Sequence, residues 1–136
     1  MYGTIIVPVD VTDTDRAAVM LDTAQRLGGE RAKIVLVNIV EAIPSYVALE
    51  IPEEYRKRVV VQAKDELTRI AKSTTLQTEI EVRSGHPAQS ILSIADEKNA
   101  DTIIIASHRP GFEDYLLGST ASRVVRHAKC SVIVIR

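Results

Sequence analysis

Cysteine is nearly missing from this chain. Cys130 is the only one in 136 residues, so no disulfide can close within it, and a reducing compartment, the cytoplasm, suits the composition. Long apolar runs are missing too: none approaches the ~20 residues that span a membrane. The opening Met1-Tyr2-Gly3-Thr4 lacks the basic segment of a signal peptide. Neither sign of charge dominates. Seventeen Lys and Arg stand against eighteen Asp and Glu, for a formal net charge of −1, which offers no general attraction to nucleic acid. Charges of both signs mix along the chain, with no block that would mark a tail or linker.

Several enzyme signatures are also absent. There is no Gly-x4-Gly-Lys-[Ser/Thr] for a P-loop, no Gly-x-Gly-x2-Gly for a dinucleotide fold, and no Gly-x-Ser-x-Gly elbow. A phospho-receiver would need a second aspartate after its third strand, where this chain has Arg83-Ser84-Gly85-His86. The three histidines are scattered and a single thiol cannot complete a zinc set. Whether a metal binds is left open by these residues.

What is there is a chain 46% apolar and 26% charged, typical of a globular protein and long enough for one domain over residues 1–136. Gly3 to Val9 is an apolar run closing on Pro8-Val9-Asp10 and predicts a buried first strand. Ala17, Met20, Leu21, Ala24 and Leu27 recur at helical spacing, with Thr12 or Asp13 as cap and Gly28-Gly29 as stop. Ala32 to Val40 predicts a second strand, Glu41 to Pro52 a loose segment, and Val60 to about Ser73 a long helix. Thr78 to Arg83 alternates as a half-exposed strand does, and Pro87 opens a third helix. Ala100 to Ala106 reads as a buried parallel strand, Gly118-Ser119-Thr120 as the start of a last helix, and Ser131 to Arg136 as a last strand. Alternation of strands and helices predicts an α/β fold, a parallel sheet with helices on both faces.

The polar residues that matter lie at strand ends. Asp10 ends the first strand, as a ligand-facing carboxylate or as a cap. Ala106-Ser107-His108-Arg109 follows the fourth strand. Gly118-Ser119 then offers a backbone without a Cβ and a hydroxyl at a helix N-terminus, where unpaired N–H groups and the dipole favour a phosphate. A plain cap is the alternative, and placement after the fourth strand favours the phosphate. His108 reads equally as a phosphate contact or a solvated loop residue. His86 reads as a helix-entry residue, His127 as a favourable cation in a last turn, and Arg123 with Arg126 as a solvated face.

These pieces together resemble the universal stress protein family. The resemblance rests on Ile5-Ile6-Val7-Pro8-Val9-Asp10, on Ser84-Gly85-His86-Pro87, on Ile105-Ala106-Ser107-His108-Arg109-Pro110 with Tyr115-Leu116-Leu117-Gly118-Ser119, and on Ala128 to Val134. The wording is most similar to the F/G-type branch of small bacterial members. The family's nucleotide motif, Gly-x2-Gly-x9-Gly-[Ser/Thr], stands here as Ala106-x2-Arg109-x8-Gly118-Ser119. Ala106 adds one methyl, tolerable unless the backbone needs positive φ, and Arg109 would either obstruct a phosphate or pair with it.

The resemblance implies a Rossmann-like, adenine-nucleotide α-hydrolase-like sheet in the order 3-2-1-4-5. It implies an ATP, ADP or AMP site, with or without Mg2+, using Pro8, Val9, Asp10, Ile39, Ala106, Ser107, His108, Arg109, Gly118, Ser119 and Thr120. It implies a nucleotide-dependent stress-response sensor or switch without a dedicated catalytic residue, and a homodimer through strand 131–136. A dimeric interaction module that has lost the nucleotide, and a slow ATPase, are the alternatives.

Overall fold

The computed structural model describes residues 3–11, 14–107 and 118–136. Five strands, β1 (Thr4–Pro8), β2 (Lys33–Glu41), β3 (Gln77–Gly85), β4 (Thr102–Ala106) and β5 (Ser131–Ile135), form one sheet in the order β3-β2-β1-β4-β5. Every described pairing is parallel. The helices are α1 (Asp15–Gly28), α2 (Ser45–Ala48), α3 (Glu53–Ala71), α4 (Pro87–Glu97) and α5 (Ser119–His127). No described helix is long and apolar enough to cross a membrane.

The β-branched runs form strands because both of their faces are covered, and successive side chains divide by parity between two cores. Ile5, Val7, Ile34, Leu36 and Ile104 pack with Ala17, Met20, Leu21 and Ala24 of α1 and Leu67 and Ile70 of α3. Ile6, Val35, Val37, Ile103 and Ile105 pack with Ala88, Ile91, Ile94 and Ala95 of α4 and Ala121 and Val124 of α5. Thr102 is the one fully buried polar side chain among the described residues. Its hydroxyl donates to the Ser131 carbonyl at 2.9 Å, tying β4 to β5.

Local details depart from the sequence expectations in three places. α1 is capped at Thr14, without a side-chain bond; Thr12 and Asp13 lie outside the described residues. The segment expected to be loose contains the one-turn α2, entered from Pro44, whose carbonyl accepts from the N–H groups of Val47 and Ala48. α3 begins at Glu53, a turn and more before Val60, because Pro52 presets the entry and Glu53 and Glu54 suit the positive helix end. The expected stop of α1 is present: Gly29 takes φ 69° and its N–H closes on the Gln25 carbonyl at 3.1 Å.

Candidate functional site

A gap opens in the middle of the sheet where two pairs of strands part company. β1 meets β4 only at Ile5↔Thr102 and Ile6↔Ile103. β1 stays with β2 out to Pro8↔Val37, and the Val9 N–H continues that ladder to the Val37 carbonyl at 2.7 Å. β4 stays with β5 out to Ala106↔Ile135, continued by the Ser107 N–H on the Ile135 carbonyl at 2.8 Å. The carboxyl ends of β1 and β4 therefore diverge at the point where strand order reverses, the usual ligand crevice of an open parallel sheet. The result is a cleft of about 640 Å3.

Most of the residues expected at the site line this cleft. From the β1 end come Pro8, the buried Val9 and the exposed Asp10. From β2 comes Ile39, half-buried against the α4–α5 core, so it packs and lines at once. Ala106 and Ser107 line it from the end of β4, and Ser119 and Thr120 from the first turn of α5. Gly118 is the N-cap of α5, at φ −60° and ψ 160°, with no side-chain cap bond. That backbone is open to any residue, so only close approach of a ligand would require glycine there. Ser119 is thus the first helical residue, not the cap. Ala106 lies in regular strand, and among the described residues only Asn99 has positive φ without being glycine, so the extra methyl causes no backbone strain. His108 and Arg109 lie outside the described residues.

The cleft also holds residues that the sequence did not single out. Asn38 lines it and donates from Nδ2 to the Val9 carbonyl at 2.9 Å, fixing the exit of β1. Met20 and Arg16, one turn apart on α1, form the opposite side. The Arg16 guanidinium donates to the Ser107 carbonyl across the mouth. Arg16 continues the apolar stripe of Ala17, Met20, Leu21 and Ala24 one turn toward the helix start, and a cation there was the available signal. Glu41 adds a second carboxylate to the lining. Two helix starts, of α4 at Pro87 and of α5 at Ser119, reach the same cleft, and each presents N–H groups without intrahelical acceptors.

A second hollow of about 470 Å3 is lined by Glu53, Arg56, Lys57, Val60 and Val61 of α3 alone. It gathers no groups from different elements and offers no convergent chemistry. Among the described residues no three His, Cys, Asp or Glu side chains gather as a metal site. Outside the cleft, an ion-pair network runs from β2 and β3 to α4. Hydrogen bonds from Lys33 and Lys98 hold Glu79 below its ordinary carboxylate value, and Arg83 does the same to Glu97. The network braces an edge strand and faces no crevice. Burial raises the Cys130 thiol, which makes it a poor nucleophile.

Comparison with known proteins points one way. The model of the universal stress protein family matches residues 1–136. Universal stress protein G of Salmonella typhi is 30% identical over 148 positions, covering all of both chains. A solved universal stress protein from Lactobacillus plantarum superposes with a TM-score of 0.77 at 27% identity, over 99% of this chain and 98% of that one. A universal stress protein from Archaeoglobus fulgidus, solved in complex with dAMP, gives 0.68 at 25% identity, over 99% and 98%.

Proposed function

The chain belongs to the universal stress protein family, and from that premise we propose that the cleft between β1 and β4 binds an adenine nucleotide. The observation that carries the reading is the convergence of Val9, Ile39, Ser107 and the first turn of α5 on one cleft of about 640 Å3. Its apolar floor suits a base and its helix start suits a phosphate. The dAMP complex of the Archaeoglobus relative supports the class of ligand. The base lies between Val9 and Ile39, the ribose near Asp10, and the phosphates over Gly118-Ser119-Thr120. ATP, ADP and AMP all suit this layout. Mg2+ would enter with its phosphates and lean on Asp10, since magnesium sites commonly combine one or two carboxylates with phosphate oxygens.

Occupancy then serves as a nucleotide-dependent signal in the stress response rather than as a step of rapid turnover. Among the described residues no lysine lies in the cleft, and fast phosphoryl transfer draws on several cations and a positioned base together. The output passes through a homodimer in the cytoplasm. β5 supports that part: Val132, Ile133, Val134 and Ile135 are only half-buried, and β5 is the outermost strand beside β4. Such an edge accepts pairing from a second copy. Equilibrium binding of AMP and ATP to protein stripped of carried-over nucleotide tests the reading, with GTP as control. Saturable adenine-nucleotide binding is the expected result. No binding at millimolar nucleotide would overturn it and leave a dimeric interaction module.

A further inference from the structure

We infer that Arg16 is a phosphate-recognising side chain of this cleft and sets its preference for nucleotide over nucleoside. This rests on the adenine-nucleotide reading above and deepens it. Among the described residues lining the cleft, Arg16 is the cation, and Asp10 and Glu41 are the anions. A phosphate entering a cleft lined by two carboxylates meets repulsion that the two helix starts offset only in part, since each carries roughly half a charge. A guanidinium on the same lining cancels one of those two charges and, among the described residues there, is the one charged side chain that attracts a phosphate. Arg16 is also held where it is needed. It stands in the first turn of α1, half-buried, directly above Met20 on the core stripe, and it donates to the Ser107 carbonyl at the end of β4. Ser107 is fixed in turn by its N–H on Ile135.

A guanidinium carries five N–H donors in a planar fork, so a bond to the Ser107 carbonyl does not by itself exclude a phosphate contact. That fork matches phosphate oxygens, and a bond to a charged oxygen is roughly twice as strong as one to a neutral carbonyl. The role therefore differs from that of a strut. A strut would support the end of β4 whatever the ligand, whereas a phosphate contact acts only on ligands that carry a phosphate.

The test uses the whole chain, stripped of nucleotide, with AMP and adenosine as paired probes. Arg16→Gln keeps an amide donor for the Ser107 carbonyl and removes the charge, and Arg16→Lys keeps the charge. Arg16→Gln is expected to weaken AMP about 10- to 100-fold, the size of one charge-assisted hydrogen bond, and to leave adenosine within about twofold. Arg16→Lys should recover most of the AMP affinity. The AMP affinity of the parent should fall with added salt more steeply than that of Arg16→Gln. Equal losses for AMP and adenosine would make Arg16 a strut, and no loss for either would make it a bystander; both overturn the inference while the nucleotide reading stands. A parent protein that binds neither probe overturns the nucleotide reading, and the inference with it.

Discussion

Replacing Gly118 with valine separates the ligand site from the fold. Gly118 has φ −60° and ψ 160°, an ordinary extended backbone, so valine introduces no left-handed strain. It sits at the N-cap of α5, where valine is a poorer cap than glycine, and that costs about 0.5–1 kcal/mol of stability. The effect on binding should be much larger. A branched side chain at the cap stands over the first N–H groups of α5, beside Ser119 and Thr120 on the cleft wall. Losing one or two bonds from those groups to a phosphate forfeits about 2–4 kcal/mol, at ~1.5–3 kcal/mol for each hydrogen bond to a charged group. That is roughly 30- to 1,000-fold in affinity. Calorimetric titration with AMP and thermal unfolding of the same samples measure both quantities. An unfolding midpoint within a few degrees of the parent, with AMP binding reduced at least tenfold, is the expected pair. Parent-like AMP affinity in a folded Gly118→Val protein would refute the placement of the phosphate at this helix.

Three further outcomes follow from the fold. Gly85 has φ 152° and its added Cβ would lie 2.7 Å from Ser90 Oγ, so Gly85→Ala should lower unfolding stability by about 1–3 kcal/mol; Ser90→Ala in the same chain relieves the clash and leaves the backbone cost, which chemical denaturation can separate. Glu79 and Glu97 have carboxyls lowered from 4.5 by Lys33, Lys98 and Arg83. Their contribution is complete above that value and is lost as pH falls through the lowered one, so the parent should lose stability below pH ~4.5 more steeply than Glu79→Gln, in urea melts across an acid series. The protein should sediment as a dimer at micromolar concentration, and Ile133→Pro on β5 should move it to monomer or aggregate; a monomeric parent would refute pairing through this strand.

The sheet was legible because its signal is redundant. Ile34-Val35-Leu36-Val37 and Ile103-Ile104-Ile105 are apolar at every position, and only a strand buried on both faces uses such a run. The half-exposed alternation of β3 fits its place at the edge. α2 escaped notice because four residues are too few for a helical period. Its Tyr46 and Leu49 neighbourhood is exposed, so no apolar stripe marks it. The early start of α3 was hidden for the same reason: Glu53 to Arg58 face solvent, and the buried period begins only further along.

The lining of the cleft was legible in half, and the division has a physical basis. Residues at strand ends could be placed from order, since parallel strands bring their carboxyl ends to one side of the sheet; Asp10, Ala106 and Ser107 reach the cleft in that way, while Val9 and Ile39 were expected there only from the family resemblance. Arg16 and Asn38 could not be found by proximity to any motif. Arg16 reaches the cleft through helical phase, because a helix returning from β1 runs opposite to the strands and sets its first turn over their carboxyl ends. Asn38 shares its parity with Ile34 and Leu36, a polar residue continuing the apolar α1-facing row just where that row leaves the core. Each is a polar side chain at the end of an apolar periodicity. In a parallel α/β sheet that pattern points to cleft residues that no motif marks.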